Sequence, residues 1–326
     1  MAAAEQIKSL IKSFGDGDED RFYATAMQIA ASEARRGHTT LADDLKKIID
    51  KAKLSKTKQA TVVKQLPVNV AQKELSDLLE LIQPSSKLKD MVLSPYVKNA
   101  LQRVLDEQRK VDLLESHGLK ARKKLLFTGA PGCGKTMSAH VLAGELSLPL
   151  FVIRLDGLIS RYMGDSIAKL RLIFDTMYNF RAVYLFDEFD SIGTTRSAGN
   201  EIGEIKRVLN SFLLQIEKDH SNSLIIAATN IPESLDSALF RRFDDIINYP
   251  LPTQEDILNL LKLELASFNV ADNLNLVDIA QYSLGLSFAD VHRICSDIVK
   301  DMLVYGIEEV SKDRIFGYID TRKKPF

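Results

Sequence analysis

The sequence predicts an α/β fold: a parallel five-stranded sheet flanked by helices, preceded by a small helical bundle and followed by an all-α segment. Three observations carry that prediction. Five short apolar runs, at residues 125–128, 151–155, 182–187, 224–228 and 246–249, are rich in β-branched and aromatic residues. Helical patterns separate most of them, which is how a parallel sheet buried on both faces reads. After Pro250 the strand runs stop, and residues 257–265, 276–282 and 289–304 keep only helical periodicity.

The N-terminal elements follow from spacing and caps. Ile7, Leu10, Ile11 and Phe14 lie on one helical face, and Gly15, Asp16, Gly17 and Asp18 break the pattern. A second helix is expected over 20–36, with Phe22, Ala26, Ile29 and Ala30 on one face and Gly37 as its stop. Thr40 can cap a third helix carrying Leu41, Leu45, Ile48 and Ile49. Its acidic first turn (Asp43, Asp44) and basic end (Lys51, Lys53) suit the helix dipole. Three such helices are marginal alone, so the bundle is expected to lean on something else. The expected division is a helical bundle at 1–55, a linker at 56–85, a nucleotide-binding α/β domain at 86–250 and a helical lid at 251–326.

Composition excludes several classes. The chain has 326 residues, 45% hydrophobic and 27% charged, which is enough apolar mass for a core. Lys+Arg 43 against Asp+Glu 44 leaves a net charge of −1, which argues against a nucleic acid or an anionic membrane as the main partner. No apolar stretch is long enough for a membrane span, and the N-terminus does not read as a secretory signal. Cys133 and Cys295 are far apart and the five histidines are scattered, so neither a disulfide framework nor a His/Cys metal site is expected. A cytoplasmic location fits that cysteine usage.

Chemistry concentrates in three segments. Residues 129–136, GAPGCGKT, match G-x-x-x-x-G-K-[ST] in full, after an expected strand and before a helical run. Glycines let backbone N–H groups converge on phosphate oxygens, and the helix N-terminus adds partial positive charge. Gly129, Pro131, Gly132, Cys133, Gly134, Lys135, Thr136 and Met137 therefore form the expected ATP-binding set, with Lys135 on the β- and γ-phosphates. Thr136 offers Mg²⁺ a hydroxyl. In AVYLFDEFD an apolar strand ends in two acids. Asp187 is expected in the Mg²⁺ shell and Glu188 as the general base for water; Asp190 is read as supporting. In LIIAATN, Asn230 ends another buried strand, where its side chain can sit beside Glu188 and orient the water.

These motifs, with LDSALFRRFD after them, resemble the AAA subset of the AAA+ ATPases over roughly residues 86–305. The compact ALFRRF is most similar to the katanin and spastin type. The resemblance implies that Arg241 and Arg242 are arginine fingers, which reach the γ-phosphate in a neighbouring subunit, and that the assembly is a homo-oligomeric ring of six. It also implies a pore loop at Arg161, Tyr162, Met163 and Gly164, whose aromatic and thioether suit a sequence-tolerant grip on polypeptide; packing of Tyr162 in the core is the competing reading. Residues 193–202 are a candidate second channel loop. GLSFADV, at 285–291, resembles the start of the lid helix, with Phe288 where glycine is usual. Phe288 is therefore expected to reshape the adenine or ribose pocket. Asp90, Met91 and Val92 resemble the segment flanking adenine.

The implied activity is ATP hydrolysis that drives remodelling, unfolding or disassembly of a protein, with the N-terminal bundle selecting the substrate or docking a partner. Three alternatives stay open: a motor serving a separate enzyme such as a protease, a nucleic-acid machine, and a scaffold that binds ATP without turnover. The chain carries no H-E-x-x-H and no G-x-S-x-G of its own. Cys133 has two readings: a small residue that fits the turn, or a sensitive thiol, because an electropositive loop favours thiolate.

Overall fold

The computed structural model describes residues 78–158, 165–190, 200–266, 275–306 and 312–323, with isolated residues between 25 and 47. The chain divides into two compact units, Met1–Gln72 and Lys73–Phe326. In the first, every described residue is helical, and all lie within the second and third expected helices. Ala30 and Ala42 are buried there. The expected helix through Ile7 and Phe14 lies outside the described residues.

The second unit begins with β1 (Leu79–Ile82), α1 (Pro95–Arg109), α2 (Val111–Ser116), β2 (Lys124–Gly129), α3 (Lys135–Leu146), β3 (Leu150–Ile153), α4 (Leu155–Leu158), α5 (Asp165–Asn179) and β4 (Val183–Phe186). It continues with α6 (Asn200–Lys218), β5 (Leu224–Thr229), α7 (Ser237–Phe240), β6 (Asp245–Tyr249), α8 (Gln254–Leu265), α9 (Leu276–Tyr282), α10 (Phe288–Tyr305) and α11 (Lys312–Lys323). All five expected strands are present, within a residue or two of their expected ends.

The sheet has six strands rather than five, in the order β1-β3-β4-β5-β2-β6. β2 to β6 pair in parallel, and β1 adds an antiparallel edge on β3, Leu79 opposite Ile153 and Ile82 opposite Leu150. This sixth strand lies in the stretch expected as linker. Its sequence, LELI within SDLLELI, has no strand alternation distinct from a helical one. Pairing with β3 decides its conformation, and tertiary context outweighs local propensity here.

Side chains alternate between two cores. Leu126, Tyr184, Phe186, Ile225 and Ala227 point into one, with α5 and α6. Leu125, Phe127, Val183, Leu185, Leu224 and Ile226 point into the other, with α1 and α3. That is the period-two geometry of a strand with both faces covered. Phe186 meets the rings of Phe174, Phe189 and Phe212, at centroid separations of 6.3, 6.4 and 4.9 Å. A third apolar cluster is built from α8 to α11, the helices of the segment expected as the lid and called so below. Val92 packs on the lid cluster while Met91 and Leu93 pack on the sheet, so this short segment lines the seam between them.

The lid helices start at caps legible in the sequence. Thr253 and Asp256 form a capping box on α8, and Ser287 and Asp290 form one on α10. Among the described residues no helix is long and apolar enough to cross a membrane.

Candidate active site

Parallel strands deliver their C-terminal ends to one edge. The register sets Thr128 opposite Thr229 and Phe186 opposite Ala227, so Gly129, Asp187 and Asn230 emerge within a residue or two of one level. The chain leaves β2, crosses β5 and β4 to reach β3, and returns. Such a reversal in strand order leaves a crevice beyond the strand ends, where open α/β sheets bind ligands.

The glycine-rich loop is shaped by contacts that exclude side chains. Gly129 has φ +138°, and a Cβ there would lie 2.2 Å from the carbonyl oxygen of Tyr249 on the paired strand. Gly132 has φ +75°, and a Cβ there would meet Ser287 Oγ at 2.5 Å and Ala289 Cβ at 3.0 Å. The backbone of Ala289, in the first turn of α10, donates to the Gly132 carbonyl at 3.0 Å. Lid and loop are therefore in direct contact. The sequence pattern did not signal that contact, since the segments are far apart in the chain. Met91 reaches the loop as well, 3.3 Å from where a Cβ on Gly134 would be.

Lys135 is 6% exposed and donates to the carbonyls of Gly129 and Ala130 at 2.7 and 2.8 Å. Burial lowers its pKa; Cys133, Asp187 and Asp190 oppose that shift. A desolvated ammonium held on two carbonyl oxygens suits a phosphate, which would satisfy its charge far better than dipoles can. Thr136 Oγ1 donates to Asp187 Oδ2 at 2.7 Å. Hydroxyl and carboxylate oxygens converging on one point are the hard donor set that fits Mg²⁺. Met137 follows with an exposed side chain.

Glu188 stands in the left-handed region, φ +48°, and its N–H donates to Asp187 Oδ1 at 2.9 Å. A non-glycine residue there costs about 1–3 kcal/mol and needs surroundings that hold it. The next residue supplies them: Phe189 is fully buried and its N–H donates to the Ala228 carbonyl at 2.8 Å. Asp190 then bridges two strand ends. Its Oδ1 accepts from Thr229 Oγ1 at 3.0 Å and from the Asn230 N–H at 3.1 Å. The sequence reading of Asp190 as a supporting residue thus has a concrete geometry: it ties Asn230 to the turn that carries Glu188.

The thiol-sensitive reading of Cys133 is corrected. Cys133 is 1% exposed, and burial pushes its thiol pKa up; Lys135 pulls it down by less, and Asp290 raises it again. Desolvation outweighs the electropositive loop, so thiolate is disfavoured. Phe288 is half-buried against the apolar cluster of the C-terminal helices, between Ser287 and Ala289, which face Gly132 of the loop.

Arg241 and Arg242 are exposed on the turn after α7, next to Asp244, which is bonded to the start of β2 while the loop follows that strand's other end, and Arg242 Nη1 pairs with Glu217 Oε1 at 2.8 Å. Tyr162 and Met163 lie outside the described residues, as do residues 193–199 of the second candidate loop; residues 200–202 begin α6.

A strand–glycine loop–helix with a lysine, a threonine and a strand-end aspartate in contact defines a P-loop nucleotide-binding protein. Residues 125–251 match the family described as "ATPase family associated with various cellular activities (AAA)". The chain is 37% identical over 315 residues to the uncharacterized AAA family ATPase y4kL of Sinorhizobium fredii, covering 96% of this chain and 93% of that protein. It is 29% identical over 262 residues to the ATP-dependent zinc metalloprotease FtsH of Hahella chejuensis, covering 72% of this chain and 42% of that protein. It is 31% identical over 257 residues to the peroxisomal ATPase PEX6 of Debaryomyces hansenii, covering 74% of this chain and 22% of that protein. The chain belongs to the AAA family of ATPases; it binds and hydrolyses ATP.

Proposed function

We propose that the chain works as a homo-oligomeric ring, of six subunits, that spends ATP to remodel, unfold or disassemble a protein drawn through a central pore. The observation that carries most weight is the separation of parts. One strand edge gathers Lys135, Thr136, Asp187, Glu188 and Asn230, while Arg241 and Arg242 are exposed elsewhere. A site divided in this way is completed by a neighbouring copy.

In this reading the backbone N–H groups of residues 129–137, all but Pro131, wrap the phosphates and Lys135 pairs with the β- and γ-oxygens. Thr136 and Asp187 would hold Mg²⁺, which supplies charge neutralisation at the phosphates. Glu188 accepts a proton from water as the water oxygen bonds the γ-phosphorus and the bond to the ADP oxygen breaks. Asn230, anchored through Asp190, orients that water. The neighbour's arginines stabilise the charge that develops. Tyr162 and Met163 grip the polypeptide, and the N-terminal bundle recruits the substrate. The setting is cytoplasmic, without membrane insertion.

A second reading is a motor serving a separate enzyme. It is favoured by the likeness to FtsH, a protein named as a protease, of which the match covers 42%. A nucleic-acid machine ranks below both, given the net charge of −1. The test is Glu188→Gln, which should keep ATP and stall turnover. Purified with ATP from its native cell, it should run as a particle of about six subunits holding a protein that Tyr162→Ala releases. A bound protease would select the second reading. A monomer with ATP and no bound protein would overturn the ring.

A further inference from the structure

The two adjacent arginines differ in their surroundings. Both sit on a turn pinned at each side. Leu239 and Phe243 are buried in the same apolar cluster as Phe212 and Ile216 of α6, and the Arg242 N–H donates to the Leu239 carbonyl at 3.0 Å. Beyond them, Asp244 accepts from the backbone N–H groups of Lys123 and Lys124, each at 2.9 Å. The packing of Ile216 sets Glu217, the next residue on α6, at a fixed place beside the turn. Arg242 takes it as a partner at 2.8 Å. Among the described residues, the exposed guanidinium of Arg241 has no such partner.

We propose that Glu217 holds Arg242 as a strut within its own subunit, leaving Arg241 alone to reach the neighbour's ATP. The proposal rests on the ring reading above and divides labour between two residues that the resemblance treats as equal. Glu217 is then a positioning residue: it fixes the turn through Arg242 and so fixes the reach of Arg241. The pair is 40% and 50% exposed, so it adds little to stability, and its effect belongs in the rate.

The experiment uses the full chain and measures kcat, KM and nucleotide affinity. Arg241→Ala should lower kcat by about 10³-fold, the scale of an arginine finger. Arg242→Ala and Glu217→Gln should each lower kcat about tenfold, with KM and melting temperature unchanged. The double variant should stay near tenfold rather than reach about a hundredfold, because both changes remove one interaction. Glu217→Asp, which keeps the charge, should recover most of the rate. Mixing Arg241→Ala subunits with Lys135→Ala subunits, which lack a working loop but keep the arginines, should restore turnover. That mixture tests the ring reading separately. If mixing restores turnover but Glu217→Gln is as fast as wild type, or Arg242→Ala is as slow as Arg241→Ala, the strut is wrong and the ring stands. If neither arginine matters and mixing restores nothing, the ring reading fails and takes the strut with it.

Discussion

Two lysines flank β2, one opening the strand and one opening the helix after it, and they do different work with similar chemistry. Lys124 opens the strand; its ammonium donates to the Ile216 and Asp219 carbonyls at 2.5 and 3.4 Å, closing the C-terminal end of α6. Lys135 follows the strand and donates to two loop carbonyls. Burial is the main cause of a lowered pKa at both. The difference is what surrounds each. Lys124 is locked among acids and helix-end carbonyls, near Asp219 and Asp244. Lys135 sits in a loop whose glycines keep side chains out. A buried ammonium on carbonyls is therefore not itself a site; the opening beside it makes one.

That comparison can be broken by substitution. The largest effect should come from Lys135→Ala: a fall in ATP turnover of about 10³-fold, or about 4 kcal/mol of transition-state stabilisation, with the melting temperature held. Lys124→Met should do the reverse. Turnover per folded molecule should stay within about twofold, and denaturant unfolding should show a loss of about 1–3 kcal/mol from unpaired helix-end carbonyls. A dead but fully stable Lys124→Met would erase the contrast.

Smaller effects sharpen the loop end. Iodoacetamide at neutral pH should modify native Cys133 far more slowly than a free thiol, and turnover should survive the treatment; rapid inactivation in a Cys295→Ser background would restore the thiolate reading. The smallest effect is pH-dependent. His140, on α3, has its pKa lowered from 6.5, mainly by burial, with Asp187 opposing. The neutral ring is favoured in the fold, so the unfolded chain takes up a proton first as pH falls. Stability should therefore drop below about pH 6.5, down through the lowered native value, and His140→Gln should flatten that drop in urea titrations.

Much of this was legible in the sequence, for physical reasons. Residues 129–136 and the strand ends at Asp187 and Asn230 are local signals, since each motif needs only its own strand and turn. The five parallel strands were legible because burial on both faces demands continuous apolar runs. What was missed is non-local. β1 is a strand only because β3 offers it an edge. Asp190 gains its role from the register between β4 and β5. Cys133 was misjudged because charge is visible in a sequence and desolvation is not. The Arg242–Glu217 pair needs α6 and the turn after α7 to pack on one cluster.

The bond from Ala289 to the Gly132 carbonyl has a thermodynamic consequence. A displacement of α10 that breaks this bond also frees one side of the phosphate loop. Nucleotide affinity and lid angle then share one coupling free energy. Whatever ATP gains by seating in the loop with the bond made, the closed lid gains equally from ATP, by reciprocity. An agent that pries the lid open must weaken ATP by the same factor, without touching a phosphate.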